Sequence, residues 1–230
     1  MYYKDYGSVS VDLYNAMTQR HSVRRYTDEP LKDEHIKVLN DAVEKVNTES
    51  GLHFQLVTNE PEAFSGKAAS YGHFSGCTDY IAAVGPKGKD GEIGYYGEEL
   101  VLTAQSLGIN SCWVALTFNK RKVKAEIGKD EKFYLVISLG YGVHQGRLHN
   151  NKPFEDVCSC DGEIPDWFRN GVNAALTAPT AMNQQKFHFT LKENDIVKAK
   201  ALTGPYSKMD LGIAKYHFEL GVKDYKFEWE

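Results

Sequence analysis

The chain has 230 residues, 42% of them hydrophobic and 25% charged, with a formal net charge of −4. These values lie near the averages for folded globular domains and exclude a mostly disordered chain, a collagen and a disulfide scaffold. Apolar runs such as Tyr134 to Leu139 fall far short of the ~20 residues of a membrane span, and the acidic balance offers no general attraction for nucleic acid.

The start, Met1-Tyr2-Tyr3-Lys4-Asp5, has no basic stretch leading into an apolar core, so a cytoplasmic protein is expected. Cys77, Cys112, Cys158 and Cys160 are then expected as reduced thiols. Cys158-Ser159-Cys160 lacks the two-residue gap of zinc knuckles, so no metal is expected there.

In chain order, Ser10 is placed to cap a first helix with Leu13, Ala16 and Met17 on one face. Pro30 opens a second, with Ile36, Leu39, Val43 and Val46 at helical spacing. Leu52 to Val57 and Tyr80 to Val84 read as strands, and Gly85 to Gly91 as a loop. A third helix carries Ile93, Tyr96, Leu100, Ala104 and Leu107 inward and stops at Gly108. Strands follow at Ser111 to Leu116 and Phe133 to Leu139, with a short basic helix from Asn119 to Glu126 between them. Polar, irregular Gly146 to Asp161 reads as a linker. Beyond it come a helix from Pro165 that Pro179 breaks, a strand at Phe187 to Leu191, a helix at Asp210 to Val222 and a strand at Tyr225 to Trp229.

This order repeats. The helix and strand through Asn40-Asp41-Ala42-Val43 and Leu52-His53-Phe54-Gln55-Leu56 match those through Val172-Asn173-Ala174-Ala175 and Phe187-His188-Phe189-Thr190-Leu191. Gly94 to Trp113 likewise echoes Asp210 to Trp229. Either the second half is a trimmed duplicate of the first, or two ordinary helix–strand units coincide.

Three stretches carry chemistry. Arg20-His21-Ser22-Val23-Arg24-Arg25-Tyr26 concentrates forked guanidinium donors and a hydroxyl after a helix, the equipment that a phosphate needs. A solvated basic patch is the plain alternative. Ala178-Pro179-Thr180-Ala181-Met182-Asn183-Gln184-Gln185 is uncharged and amide-rich, able to lay backbone groups against a flat polar ring or simply to join helix to strand. Gly108 to Val114 turns a helix directly into a strand, where backbone amides can face a ligand. Cys112 has no His and acid at a recognisable spacing, so it and Trp113 read as core.

At these stretches the sequence resembles the FMN-dependent nitroreductase family. Its Arg-x-Ser-x-Arg motif corresponds to Arg20, Ser22 and Arg24, and its Pro-Ser-x-x-Asn-x-Gln loop to Pro179 through Gln185. Its Glu-x-x-x-Leu helix ending in Gly-Leu-Gly-Thr-Cys-Trp-Val corresponds to Glu98 through Val114. Its glycine–tyrosine turn, basic residue and acidic segment correspond to Gly140-Tyr141-Gly142 and Lys152 through Val157. The likeness spans roughly residues 10 to 230.

One motif is displaced. Family members carry the amide loop after the second helix, where this chain has Val46 to Gly51, and the good copy stands in the second half. The family's flavin site lies at a dimer interface, so the resemblance implies a chain whose two related lobes imitate that dimer around one FMN. The implied fold is α+β, nitroreductase-like, with antiparallel or mixed sheets flanked by helices. Residues 1–150 form a lobe with the phosphate motif and 151–230 a trimmed lobe with the amide loop, packed as one unit. Such a fused pair allows a monomer and leaves homodimerisation open.

Carried over by position, Arg20, His21, Ser22 and Arg24 hold the phosphate, ribityl chain and pyrimidine edge of FMN. Pro179, Thr180, Ala181, Met182 and Asn183 cover the ring's other edge. Ala115 and Leu116 match the backbone N–H near N5, and Lys152 the second phosphate ligand. A basic residue expected two positions earlier is Asn150, with Arg147 and His149 as nearby substitutes. The implied activity is reduction of nitroaromatics or quinones by NADH or NADPH through hydride transfer at flavin N5, with no protein acid–base pair required. The rival readings are a flavin store or sensor without turnover, and a reductase of one specific metabolite.

Overall fold

A computed structural model of the chain describes residues 2–7 and 9–230. Strands β1 (Tyr3–Tyr6) and β2 (Val9–Asp12) form a two-stranded sheet that leads into α1 (Leu13–Gln19). Asp12 rather than Ser10 caps this helix, its carboxylate accepting from Asn15 N at 2.9 Å. Ser10 is held extended inside β2, and only the residue adjoining the first turn can reach its free N–H groups. Helix α2 (Asp33–Ser50) starts three residues after Pro30, with Asp33 and Glu34 suited to its positive end, and turns inward on Leu39, Val43 and Val46. It ends at Gly51, in the left-handed conformation.

Strand β3 (Gln55–Val57) is shorter than the sequence suggests. The Asn47 side chain takes both backbone groups of Phe54 at 2.8 Å, leaving none for a ladder there. After α3 (Lys67–Tyr71), β4 (Asp79–Pro86) runs past Val84: a register shift at Ala83/Val84 lets Gly85 and Pro86 pair with Lys132 and Glu131 instead of forming a loop. Helix α4 (Asp90–Ser106) precedes β5 (Asn110–Val114) and β6 (Glu131–Gly140). Lys120–Lys122 is one 3-10 turn rather than a helix to Glu126.

The expected linker contains structure: α5 (Phe154–Val157) and β7 (Cys158–Cys160). Helix α6 (Asp166–Ala175), β8 (Phe187–Leu191), β9 (Ile196–Ala201), α7 (Ser207–Val222) and β10 (Glu228–Trp229) complete the chain. One four-stranded sheet has the order β3-β4-β6-β5 and is antiparallel throughout; the other, β10-β9-β8-β7, mixes parallel and antiparallel pairs. The architecture is α+β.

Contacts group the residues into two compact units that are not linear in sequence: 4–89 with 100–148, and 1–3 with 90–99 and 149–230. In the former, Phe64, Phe74, Phe118, Phe133 and Tyr80 pack behind the antiparallel sheet with Val23 and Tyr26. In the latter, α7 lies between two neighbours. Phe218 meets Phe168 of α6 at 5.8 Å between ring centroids. On its other side α7 approaches the first turns of α4 so closely that a Cβ on Gly94 or Gly212 would overlap the Met209 or Gly91 carbonyl. Among the described residues no helix is long and apolar enough to cross a membrane.

Candidate functional site

In the unit built on the antiparallel sheet, α1 ends at Arg20 and the chain leaves it extended. Val23 N donates to Ser111 O, Tyr26 N to Ser75 O and Thr27 N to Tyr141 O, at 2.8 to 2.9 Å. Residues 20–27 thus form a strap laid against the start of β5, the turn after α3 and the end of β6. Val23 and Tyr26 are buried in the core, while Ser22, Arg24 and Arg25 are exposed.

Arg20 is only 4% exposed, an unusual setting for a guanidinium. The strap is backed by the turn after β6. A Cβ on Gly146, whose φ is +81°, would lie 2.5 Å from His21 Cβ and 3.1 Å from Ser22 O. Buried Asn110 braces that turn, accepting from Gly142 N at 2.9 Å and donating to Gln145 Oε1 at 3.0 Å. Arg24 lies with its Cζ 5.8 Å from the centre of the Phe74 ring. Ser111, bridged to Ser22 through the backbone, buries its hydroxyl with no hydrogen-bond partner among the described residues. The sequence singles out the stretch through Ser111 for its backbone amides only, since nothing in Asn-Ser-Cys-Trp marks the serine hydroxyl.

Ala115 and Leu116 belong to the same unit, immediately after β5. The chain bends at Ala115 instead of continuing the strand to Leu116, and Leu116 is 75% exposed.

The unit built on the mixed sheet holds Lys152 and the amide loop. Helix α6 ends four residues before buried Pro179. Met182, Asn183 and Gln185 take φ of 52°, 53° and 43°, the left-handed region that residues other than glycine seldom occupy. Internal bonds impose that shape. Gln185, 1% exposed, accepts from Lys152 N at 2.7 Å and donates to Leu176 O at 3.0 Å, while its own N–H goes to Thr180 Oγ1. The ammonium of Lys152 donates to Gln185 O at 3.1 Å. Asn183 donates to the Asn150 carbonyl at 2.7 Å, so the position expected to be basic serves through its backbone. Of its substitutes, His149 lies 2.9 Å from Leu176 O in this unit; exposed Arg147 belongs to the other.

Two anchors on α7, seven residues apart on one face, fix this loop. Asp210 accepts from Ala181 N at 3.0 Å and Gln184 Nε2 at 2.7 Å. Burial pushes its carboxyl up to about 6, those two donors opposing the shift. His217 and Glu98 are fully buried, Nε2 to Oε1 at 2.9 Å, and His217 Nδ1 lies 2.9 Å from Thr177 Oγ1 at the loop's start. Thr177 gives its single proton to Ala174 O, so this chain of groups positions rather than activates a nucleophile.

The structure therefore brings Arg20, His21, Ser22 and Arg24 onto one strap in the unit that also carries Ala115 and Leu116. It gathers Lys152 with Pro179, Thr180, Ala181, Met182 and Asn183 in the other. Arg20, Ser22 and Arg24 with the unmet Ser111 hydroxyl suit an anion rich in acceptor oxygens. The loop presents Met182 at 83% exposure together with strained backbone. The strap's donors suit a phosphate group. Among the described residues no group of three or more His, Cys, Asp or Glu is placed to hold a metal.

An α+β chain with these sheets has a nitroreductase-type fold. A crystal structure of a putative nitroreductase from Thermotoga maritima MSB8 matches it with a TM-score of 0.61 at 19% identity, over 91% of this chain and 82% of that one. The family model described as "Putative TM nitroreductase" matches residues 12–222, and the chain belongs to that family. Looser similarities, each at 16% identity and TM-score 0.46, link it to two further proteins. An FMN-dependent nitroreductase from Clostridium difficile R20291 covers 59% of this chain and 90% of its own. A structure described as a putative nitroreductase in complex with FMN, from Desulfovibrio desulfuricans, covers 63% and 93%. The search of curated proteins finds no match.

Proposed function

We propose that the protein is an FMN-dependent oxidoreductase in which NADH or NADPH drives two-electron reduction of nitroaromatic or quinone-like acceptors in ping-pong order. The observation that carries this reading is the strap: a buried arginine opens it, Ser22 and Arg24 face outward, and Ser22 is bridged to Ser111, whose buried hydroxyl has no hydrogen-bond partner among the described residues. Family membership agrees with it.

In this reading Arg20, His21 and Ser22 receive the phosphate and ribityl chain, with Lys152 as a further cationic contact. Bound FMN supplies hydride transfer at its ring N5. Arg24 sits at the pyrimidine edge, where its fixed charge stabilises negative charge that develops on reduction. Ala115 and Leu116 offer backbone N–H near N5, and Pro179 through Asn183 cover the other ring edge, excluding water.

With one strap and one amide loop, titration should find one FMN per chain. Steady-state oxidation of NADH and NADPH, with nitrofurazone or menadione as acceptor, is the decisive assay. Turnover is expected. FMN bound without turnover would turn the reading into that of a store or sensor, and two FMN per chain or none would overturn it.

A further inference from the structure

We propose that Asp210 is the positioning residue of the amide loop, gripping Ala181 and Gln184 from α7 so that the loop keeps its flavin-accepting shape. The inference rests on the FMN reading and assigns a role to a residue outside the resembling motifs.

The geometry carries it. Both carboxylate oxygens of Asp210 are spent on the loop, one on the backbone of Ala181 and the other on the side chain of Gln184. Neither serves α7, whose N-cap position is Tyr206; Asp210, the helix's fourth residue, turns both oxygens to the loop. The two gripped residues bracket Met182 and Asn183, the strained pair. Gln184 Nε2 also donates to Pro205 O at 2.6 Å, so the grip ties the loop to the segment that enters α7. Left-handed backbone at ordinary residues persists only where surrounding contacts over-determine it, and such sites cluster at ligand clamps.

The energetics point the same way. Asp210 is 4% exposed, and among the described residues no cation faces its carboxylate. Burying an ion without a counter-charge opposes folding.

The test compares Asp210→Asn and Asp210→Ala with wild type. In flavin-free protein, hydrogen exchange at the amides of residues 181–185 should quicken about tenfold or more in Asp210→Ala. It should quicken less in Asp210→Asn, which keeps an oxygen for Ala181 N. FMN affinity, read by quenching of flavin fluorescence, should weaken in the same order. The flavin-free Tm of Asp210→Asn at pH 8 should match or exceed that of wild type, an outcome that a merely structural role would not give. Loop exchange unchanged by both substitutions, or quickened equally through α6 and α7, would overturn the inference. Wild-type protein that binds no FMN would instead sink the functional reading, and the exchange data would still decide whether Asp210 holds the loop.

Discussion

The hydroxyl of Tyr26, at the far end of the strap, lies 2.7 Å from Oγ of Ser138 in the middle of β6. It also lies 2.7 Å from Val23 O, and Ser138 Oγ lies 3.2 Å from Cys112 O. Two hydroxyl protons thus serve three contacts, tying the strap to the sheet's interior. Burial holds the Tyr26 phenol well above its usual titration range, so it stays a neutral donor at every working pH. Tyr26→Phe should cost about 1–3 kcal/mol by stranding Val23 O and removing one of the two partners of Ser138. Chemical denaturation should record that loss together with weaker FMN binding, because the strap would no longer be pinned at that end. Stability lost with no change in FMN affinity would separate the strap from the flavin.

Arg20→Ala tests the other end. A phosphate that loses this guanidinium forfeits charge-assisted hydrogen bonds of about 1.5–3 kcal/mol each, so affinity should fall at least about tenfold. Arg20→Lys keeps the charge but not the planar fork and should recover only part of it. If Arg20→Ala retains FMN at wild-type affinity, the phosphate lies elsewhere.

Much of this arrangement was legible in the sequence where side-chain pattern dictates structure. Phe187-His-Phe-Thr-Leu alternates apolar and polar residues, and β8 occupies that span with alternate residues buried. The Arg20–Arg24 cluster announces itself by composition. Strand β9 does not: Ile-Val-Lys-Ala-Lys-Ala relies on alanine and lysine, poor strand formers, and is held by pairing to β8. Short β7 hides in a polar stretch, and its partner is about 30 residues away. Asp210 was illegible as a site residue because an acid in a first helical turn is commonplace, and only the fold shows that its oxygens turn to the loop. The Ser111 hydroxyl is illegible for the like reason, since the setting of a side chain is visible only in three dimensions.

Asp210 also sets a pH dependence. Burial pushes its carboxyl up from 3.8 to about 6 in the folded chain, with Ala181 N and Gln184 Nε2 as the polar groups facing it. Between those values the folded state holds more protons than the unfolded one, so this residue's contribution to stability falls as pH rises through the window. Wild type carries the buried-charge penalty above about pH 6 and loses it on acidification; Asp210→Asn never carries it. The Tm of Asp210→Asn minus that of wild type should therefore be most positive above pH 7 and narrow toward pH 4.5. A difference that stays flat across that range would show that Asp210 does not titrate there.

The crossing of α4 and α7 gives a prediction in which neighbouring glycines part ways. Gly91, Gly94 and Gly212 all lie in helices, where alanine is ordinarily the better residue by about 0.5–1 kcal/mol. At Gly91 an added Cβ would stand 3.7 Å from the Lys208 carbonyl oxygen, an ordinary contact, so Gly91→Ala should be neutral or mildly stabilising. At Gly94 and Gly212 the same methyl meets backbone oxygen of the facing helix, which cannot rotate aside as a side chain would. The helices must part to admit it, and overpacking of that kind costs about 1–3 kcal/mol or more. Thermal unfolding of the three variants should place Gly91→Ala at or above wild type and the other two well below it. Separation of the helices would also shift Asp210 relative to the loop it holds, since Gly212 lies two residues along α7. Gly212→Ala should therefore weaken FMN binding beyond what its loss of Tm alone would give, and Gly91→Ala should leave that affinity where it was.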